Sequence, residues 1–159
     1  MSRKNNNFIY SNPNPEAKYK KNGEPYTWRK GDCVIRAFSH ATGLSWESVF
    51  DIACRLAMKH HDMPNSDTVL CHLAKHLGFE RRVLPKYTTA GVFAETFKDD
   101  VCVCRLRSHV VCSKDGNLYD TWNCGGCRMK SYYILVDAER AHSFAHPRLP
   151  FTPLPNCPF

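Results

Sequence analysis

The 159-residue chain has no long hydrophobic run. No stretch approaches the roughly 20 apolar residues that a membrane-spanning helix needs, so no membrane association is expected. Basic residues stand near the start (Arg3, Lys4), but no apolar segment follows them. A secretory signal is therefore not expected, and a cytoplasmic location is. Internal repeats are absent too, and the length suits one domain with a real core. Acid is the scarcer charge: 15 Asp and Glu stand against 22 Lys and Arg, a net charge of +7. Cysteine, by contrast, is plentiful at nine. An odd count without an export signal reads as reduced thiols rather than as a disulfide framework.

The positive excess sits mainly at the front. Arg3, Lys4, Lys18, Lys20, Lys21, Arg29 and Lys30 face only Glu16 and Glu24 there. Phe8, Tyr10, Tyr19, Tyr26 and Trp28 are interleaved with them, a composition that suits a nucleic-acid strand as well as a solvated arm anchored by its rings. Residues 1–29 read as a basic extended arm without helical or strand period. Residues 30–146 read as the folded domain, and 147–159 as a Pro-rich tail.

Within the domain the periods are clear. A helix is expected from Cys33 to Thr42, with Val34, Ala37, Phe38 and Ala41 inward and Gly43 ending it. Ser45 caps a second helix, Trp46 to His60, and Asn65 or Ser66 caps a third that Gly78 closes. His72 and His76 lie one turn apart on that third helix, with no further ligand beside them, and read as surface histidines. After Gly78 strands dominate: Phe79–Leu84, Val101–Leu106, His109–Ser113, Asn117–Trp122 and Tyr132–Val136, with a short helix from Thr88 or Thr89 to Phe97. Helices first and strands last imply an α+β domain with an antiparallel sheet.

The chemistry centres on Lys30-Gly31-Asp32-Cys33. Asp32 reads as an N-cap whose carboxylate accepts from the first free N–H groups. Cys33 then lies in the first helical turn, where the helix dipole favours a thiolate, and Arg36 adds positive charge if its side chain points back. Asp115-Gly116 between two strand-like runs signals a two-residue hairpin. That register pairs Ser113 with Leu118 and Val111 with Asp120, and brings His109 and Asp120 onto one face as diagonal neighbours. A carboxylate there holds one ring nitrogen and frees the other to act as a base, with Trp122 shielding the pair.

Cys33, His109 and Asp120, in that order, resemble the papain-like cysteine peptidases, and more closely the C39-like branch and small bacterial and phage proteins that share a Gly-Asp-Cys helix start. Asp120-Thr121-Trp122 looks like the Asn-Ser-Trp stretch of the papain type. The resemblance implies a papain-like fold, with N-terminal helices on a C-terminal sheet, and a nucleophile, base and orienting acid at these three positions. It implies hydrolysis or acyl transfer at an amide or isopeptide bond of a peptide or protein substrate, without a cofactor. The family places a Gln about six residues before the Cys as an oxyanion donor. Thr27 stands there in this chain, so Thr27 and Trp122 are the expected substrate-binding residues, with Asn22 and Trp28 as further donor candidates.

Two other readings stay open. One is a non-catalytic module of the same fold that engages nucleic acid or an acidic protein through the basic arm. The other is a zinc-stabilised adaptor built on Cys124-Gly125-Gly126-Cys127 with His142 and His146, or with Cys102, Cys104 and Cys112. A strand between the Cys pair and the His pair argues against the former ligand set.

Overall fold

The structure is a computed structural model and describes residues 7–14, 31–84 and 86–143, with the backbone of 19–21 and 24–26. The fold is α+β. In chain order its elements are β1 (Phe8–Tyr10), β2 (Tyr19–Lys21), β3 (Glu24–Tyr26), α1 (Cys33–Thr42), α2 (Trp46–His60), α3 (Asp67–His76), β4 (Phe79–Val83), α4 (Ala90–Thr96), β5 (Cys102–Leu106), β6 (Val110–Lys114), β7 (Asn117–Asp120), β8 (Met129–Leu135) and α5 (Ala138–His142). Six strands form one sheet in the order β1-β7-β6-β5-β8-β4, and β2 and β3 pair separately.

The local signals explain the helices. Gly43 takes a left-handed φ of 76° after α1, and its N–H donates to the Ser39 carbonyl at 2.9 Å. Ser45 and Ser66 cap α2 and α3 by accepting from the N–H groups of Ser48 and Val69. Between β6 and β7, Asp115 and Gly116 both have positive φ, 52° and 75°. This is the combination a two-residue hairpin with strand-matching twist requires. The resulting register pairs Ser113 with Leu118 and Lys114 with Asn117, as expected from the sequence.

Two expectations are corrected. The sheet is mixed, not antiparallel throughout, because β1 adds to the β7 edge in parallel, Phe8 opposite Leu118. The N-terminal stretch, read as having no regular structure, thus supplies a strand of the main sheet. The Asn7 amide fixes it there by donating to the carbonyls of Gly91 and Gly116. The short α5 was not foreseen; Asp137 caps it by accepting from the Arg140 N–H.

The sheet is covered on both faces. Against one lie α1, α2 and α3, where Val34, Phe38, Leu70 and Leu73 meet Val103, Val110, Cys112 and Tyr133. Phe38 is fully buried and meets Phe79 edge-on, ring centroids 5.3 Å apart. Against the other lies α4, where Phe93 and Ala94 meet Cys102, Cys104, Val111, Leu118 and Tyr132. Alternating strand residues therefore serve two cores, and each buried Val, Leu or Phe adds about 1.5–3 kcal/mol.

Candidate active site

The site forms at one end of the sheet. There β6 begins, β7 ends and α1 presents its N-terminus. His109 directly precedes β6 and Asp120 is the last residue of β7. Leu118 and Val111, earlier on their shared face, point into the α4 core. At the end of that face His109 and Asp120 are free of the core and reach the first turn of α1.

The structure brings together the three residues expected to act. His109 Nε2 hydrogen-bonds Asp120 Oδ2. The half-buried Cys33 thiol is hydrogen-bonded to His109 and to the backbone N–H of Val110. With Nε2 taken by Asp120, Nδ1 is the ring nitrogen left to Cys33. Trp122 covers the imidazole, ring centroids 5.0 Å apart and tilted by 46°, while 45% of it stays exposed.

The electrostatics favour an ion pair. Burial alone pushes the Cys33 thiol up, but the His109 contact, the Val110 N–H and the Arg36 charge outweigh it and leave the thiol below its ordinary value. Burial alone would push His109 down; hydrogen bonds to Asp120, Cys124 and Cys33 instead raise it to about 11. Asp120, despite burial, is held below the usual carboxylate range by His109, the Thr121 N–H and Arg36. All three shifts favour a Cys33 thiolate beside an imidazolium held by a carboxylate.

Asp32 does not cap α1, contrary to expectation: its side chain makes no cap hydrogen bond. The reason is a stronger claim on its carboxylate. Arg36, one turn on and only 8% exposed, ion-pairs with Asp32 through Nη1 and with Asp120 Oδ1 through Nη2 at 3.2 Å. Asn14 Nδ2 and Trp46 Nε1 donate to Asp32 Oδ2 at 2.9 and 3.1 Å. A buried carboxylate gains more from a guanidinium and two neutral donors than from helix-terminal amides. Arg36 does point back, and its bridge ties Asp120 to the start of the helix that carries Cys33. It follows that the first N–H groups of α1 are not consumed by the Asp32 side chain.

Cys124 is the residue that sequence reasoning misplaced. It is fully buried, its thiol lies 3.8 Å from Asp120 Oδ2, and it also bonds His109. The only possible signal was its place four residues after Asp120 across a turn. Among the described residues, His109, Asp120 and Cys124 are the one group of three potential metal ligands, their ligating atoms within 4.8 Å of one another. Cys127 and His142 do not join it. α5, which carries His142, follows the end of β8 away from the site, where the Val136 and Asp137 N–H groups donate to the Gly78 carbonyl. Cys102, Cys104 and Cys112 are buried strand residues whose thiols are pushed up by burial, Cys102 to about 12, as core hydrophobes are. The eight described cysteines are all free. Thr27, Asn22, Trp28 and His146 lie outside the described residues, as does most of the basic arm. Among the described residues no helix is long and apolar enough to cross a membrane. Compared with known proteins, the chain matches no family model, no curated protein and no solved structure.

Proposed function

We propose that the chain is a cysteine hydrolase or acyltransferase of papain-like type, acting on an amide or isopeptide bond. The observation that carries this is the contact of Cys33 with an imidazole whose other nitrogen is fixed by Asp120. The Cys33 thiolate attacks the carbonyl carbon, and the carbonyl electrons move onto oxygen. The Cys33 N–H, at a helix start that the Asp32 carboxylate leaves uncapped, faces the developing oxyanion. His109 then passes its proton to the departing nitrogen as the C–N bond breaks, leaving a thioester on Cys33. Water or another acceptor, deprotonated by the now neutral His109, attacks the thioester and releases the sulfur. Arg36 keeps Asp120 ionised and in place through each step, and Trp122 limits water access to the His109–Asp120 bond.

The test is labelling with a thiol-directed acylating probe. Wild-type protein should be modified at Cys33 at neutral pH, and Cys33→Ala should lose that label while keeping its circular dichroism spectrum. Equal labelling of the variant, or label carried by another cysteine in the wild type, removes the proposal.

A further inference from the structure

A group of cations stands beside the site. Arg107, Arg128, Met129 and Lys130 line a cleft of about 570 Å³. Among the described residues none of the three cations forms an ion pair. Asp67, whose carboxylate also feels the Lys130 charge, is ion-paired with Arg105. Arg128 is held over the Tyr87 ring, 4.7 Å from its centroid, so its charge has a defined position.

Topology puts this cleft on the same edge as the triad. β5 ends and β8 begins where β6 starts, and Leu106 of β5 is paired with Met129 of β8. Arg107 follows Leu106 directly, and the turn it occupies closes through a Leu106 N–H bond to the His109 carbonyl at 2.8 Å. His109 thus stands at one end of a four-residue turn and the cleft opens at the other. From β6 across β5 to β8 is two strand spacings, about 10 Å, the length of about three extended residues.

We infer that this cleft binds an acidic side chain of a peptide substrate, about three residues from the bond attacked by Cys33. The inference rests on the cysteine hydrolase reading above. A carboxylate suits it on two counts. A planar guanidinium binds it through two parallel N–H bonds, and three cations on one rim, none in an ion pair among the described residues, favour acidic over basic sequences. A peptide is favoured over a nucleic acid because the same edge carries a nucleophile aimed at a carbonyl.

The experiment uses the full chain and three peptides that carry an internal vinyl sulfone and differ only in flanking Glu, Gln or Lys on both sides. At low salt the Glu peptide should modify Cys33 at least about tenfold faster than the Lys peptide, with Gln between, and added salt should compress the ratio. In the triple variant R107Q/R128Q/K130Q the Glu-to-Lys ratio should fall close to one. The ratio cancels any general loss of reactivity, and the Gln peptide reports whether the variant is still folded around Cys33. Equal rates for the three peptides on wild type overturn the inference, as does a ratio that survives the triple substitution. A single-stranded oligonucleotide that blocks labelling at lower concentration than a vinyl-sulfone-free Glu peptide also overturns it, in favour of a nucleic-acid site. If none of the peptides modifies Cys33 faster than it modifies a free thiol in solution, the parent reading fails instead.

Discussion

Replacing Asp120 by Asn tests the electrostatic core of the site. Asp120 Oδ2 accepts from His109 Nε2, while Oδ1 accepts from Arg36 and from the Thr121 N–H at 2.7 Å. In Asp120→Asn the amide oxygen remains for Arg36 and Thr121, and the NH2 group turns to His109. Nε2 must then accept rather than donate, so the imidazole is neutral with its proton on Nδ1, the nitrogen that serves Cys33. The charge-assisted bond lost is worth about 1.5–3 kcal/mol. At about 1.4 kcal/mol per pKa unit, the thiol should rise by about one to two units. The assay is the rate of iodoacetamide alkylation of Cys33 against pH. Near pH 6 the variant should react about 10–100-fold more slowly than wild type, with the gap closing as both thiols ionise in alkali. The two charged partners bound the pH window. The Asp120 contribution is present above the ordinary carboxylate pKa and is lost as pH falls through its lowered value. The His109 contribution is present below the ordinary imidazole pKa and is lost as pH rises through about 11. A variant whose alkylation profile overlays the wild type would refute the view that Asp120 governs the thiol through His109.

Two further outcomes follow from the packing. Arg36→Met leaves the buried Asp32 carboxylate without a cation and Asp120 with His109 alone, and should cost about 3–5 kcal/mol in urea unfolding. Arg36→Lys should recover only part of this, because an ammonium cannot bridge both acids as the fork does. Gly78 has φ +84° and a side-chain carbon there would fall on the Asp137 carbonyl. Gly78→Ala should therefore lower stability by about 1–3 kcal/mol in the same measurement, while Cys33 alkylation in the folded protein keeps its wild-type rate.

What could be read from the sequence was local. α1 was bounded by Asp32 and Gly43, α2 and α3 by Ser45 and Ser66, and the β6–β7 register by Asp115-Gly116, all signals within a few residues of the feature they set. The His109–Asp120 contact followed from that register, since the hairpin encodes it without reference to the rest of the chain. What escaped was non-local. The parallel pairing of β1 with β7 depends on an Asn7 side chain that finds its carbonyls after folding. Asp32 looked like a cap because its position is that of a cap. Two of its actual partners, Asn14 after β1 and Trp46 at the start of α2, reach it only in the folded chain, while Arg36 lies one turn on in α1. Cys124 looked like half of a metal knuckle because Cys127 follows it, yet its burial against Asp120 is decided by the α4 core. The α5 helix was short enough to hide behind a single capping Asp.

The strand laid down by Phe8–Tyr10 imposes an order of events during translation. The Asn7 amide anchor spans 109 positions to Gly116, and Cys33 precedes His109 by 76. On the ribosome, Cys33 is made before His109 and Asp120 have been added to the chain, and the early edge strand has nothing to lie against. The nascent chain thus carries an ordinary thiol past chaperones and unfinished neighbours. Its sulfur meets His109 only when the β6–β7 hairpin has been made, against which β1 then pairs.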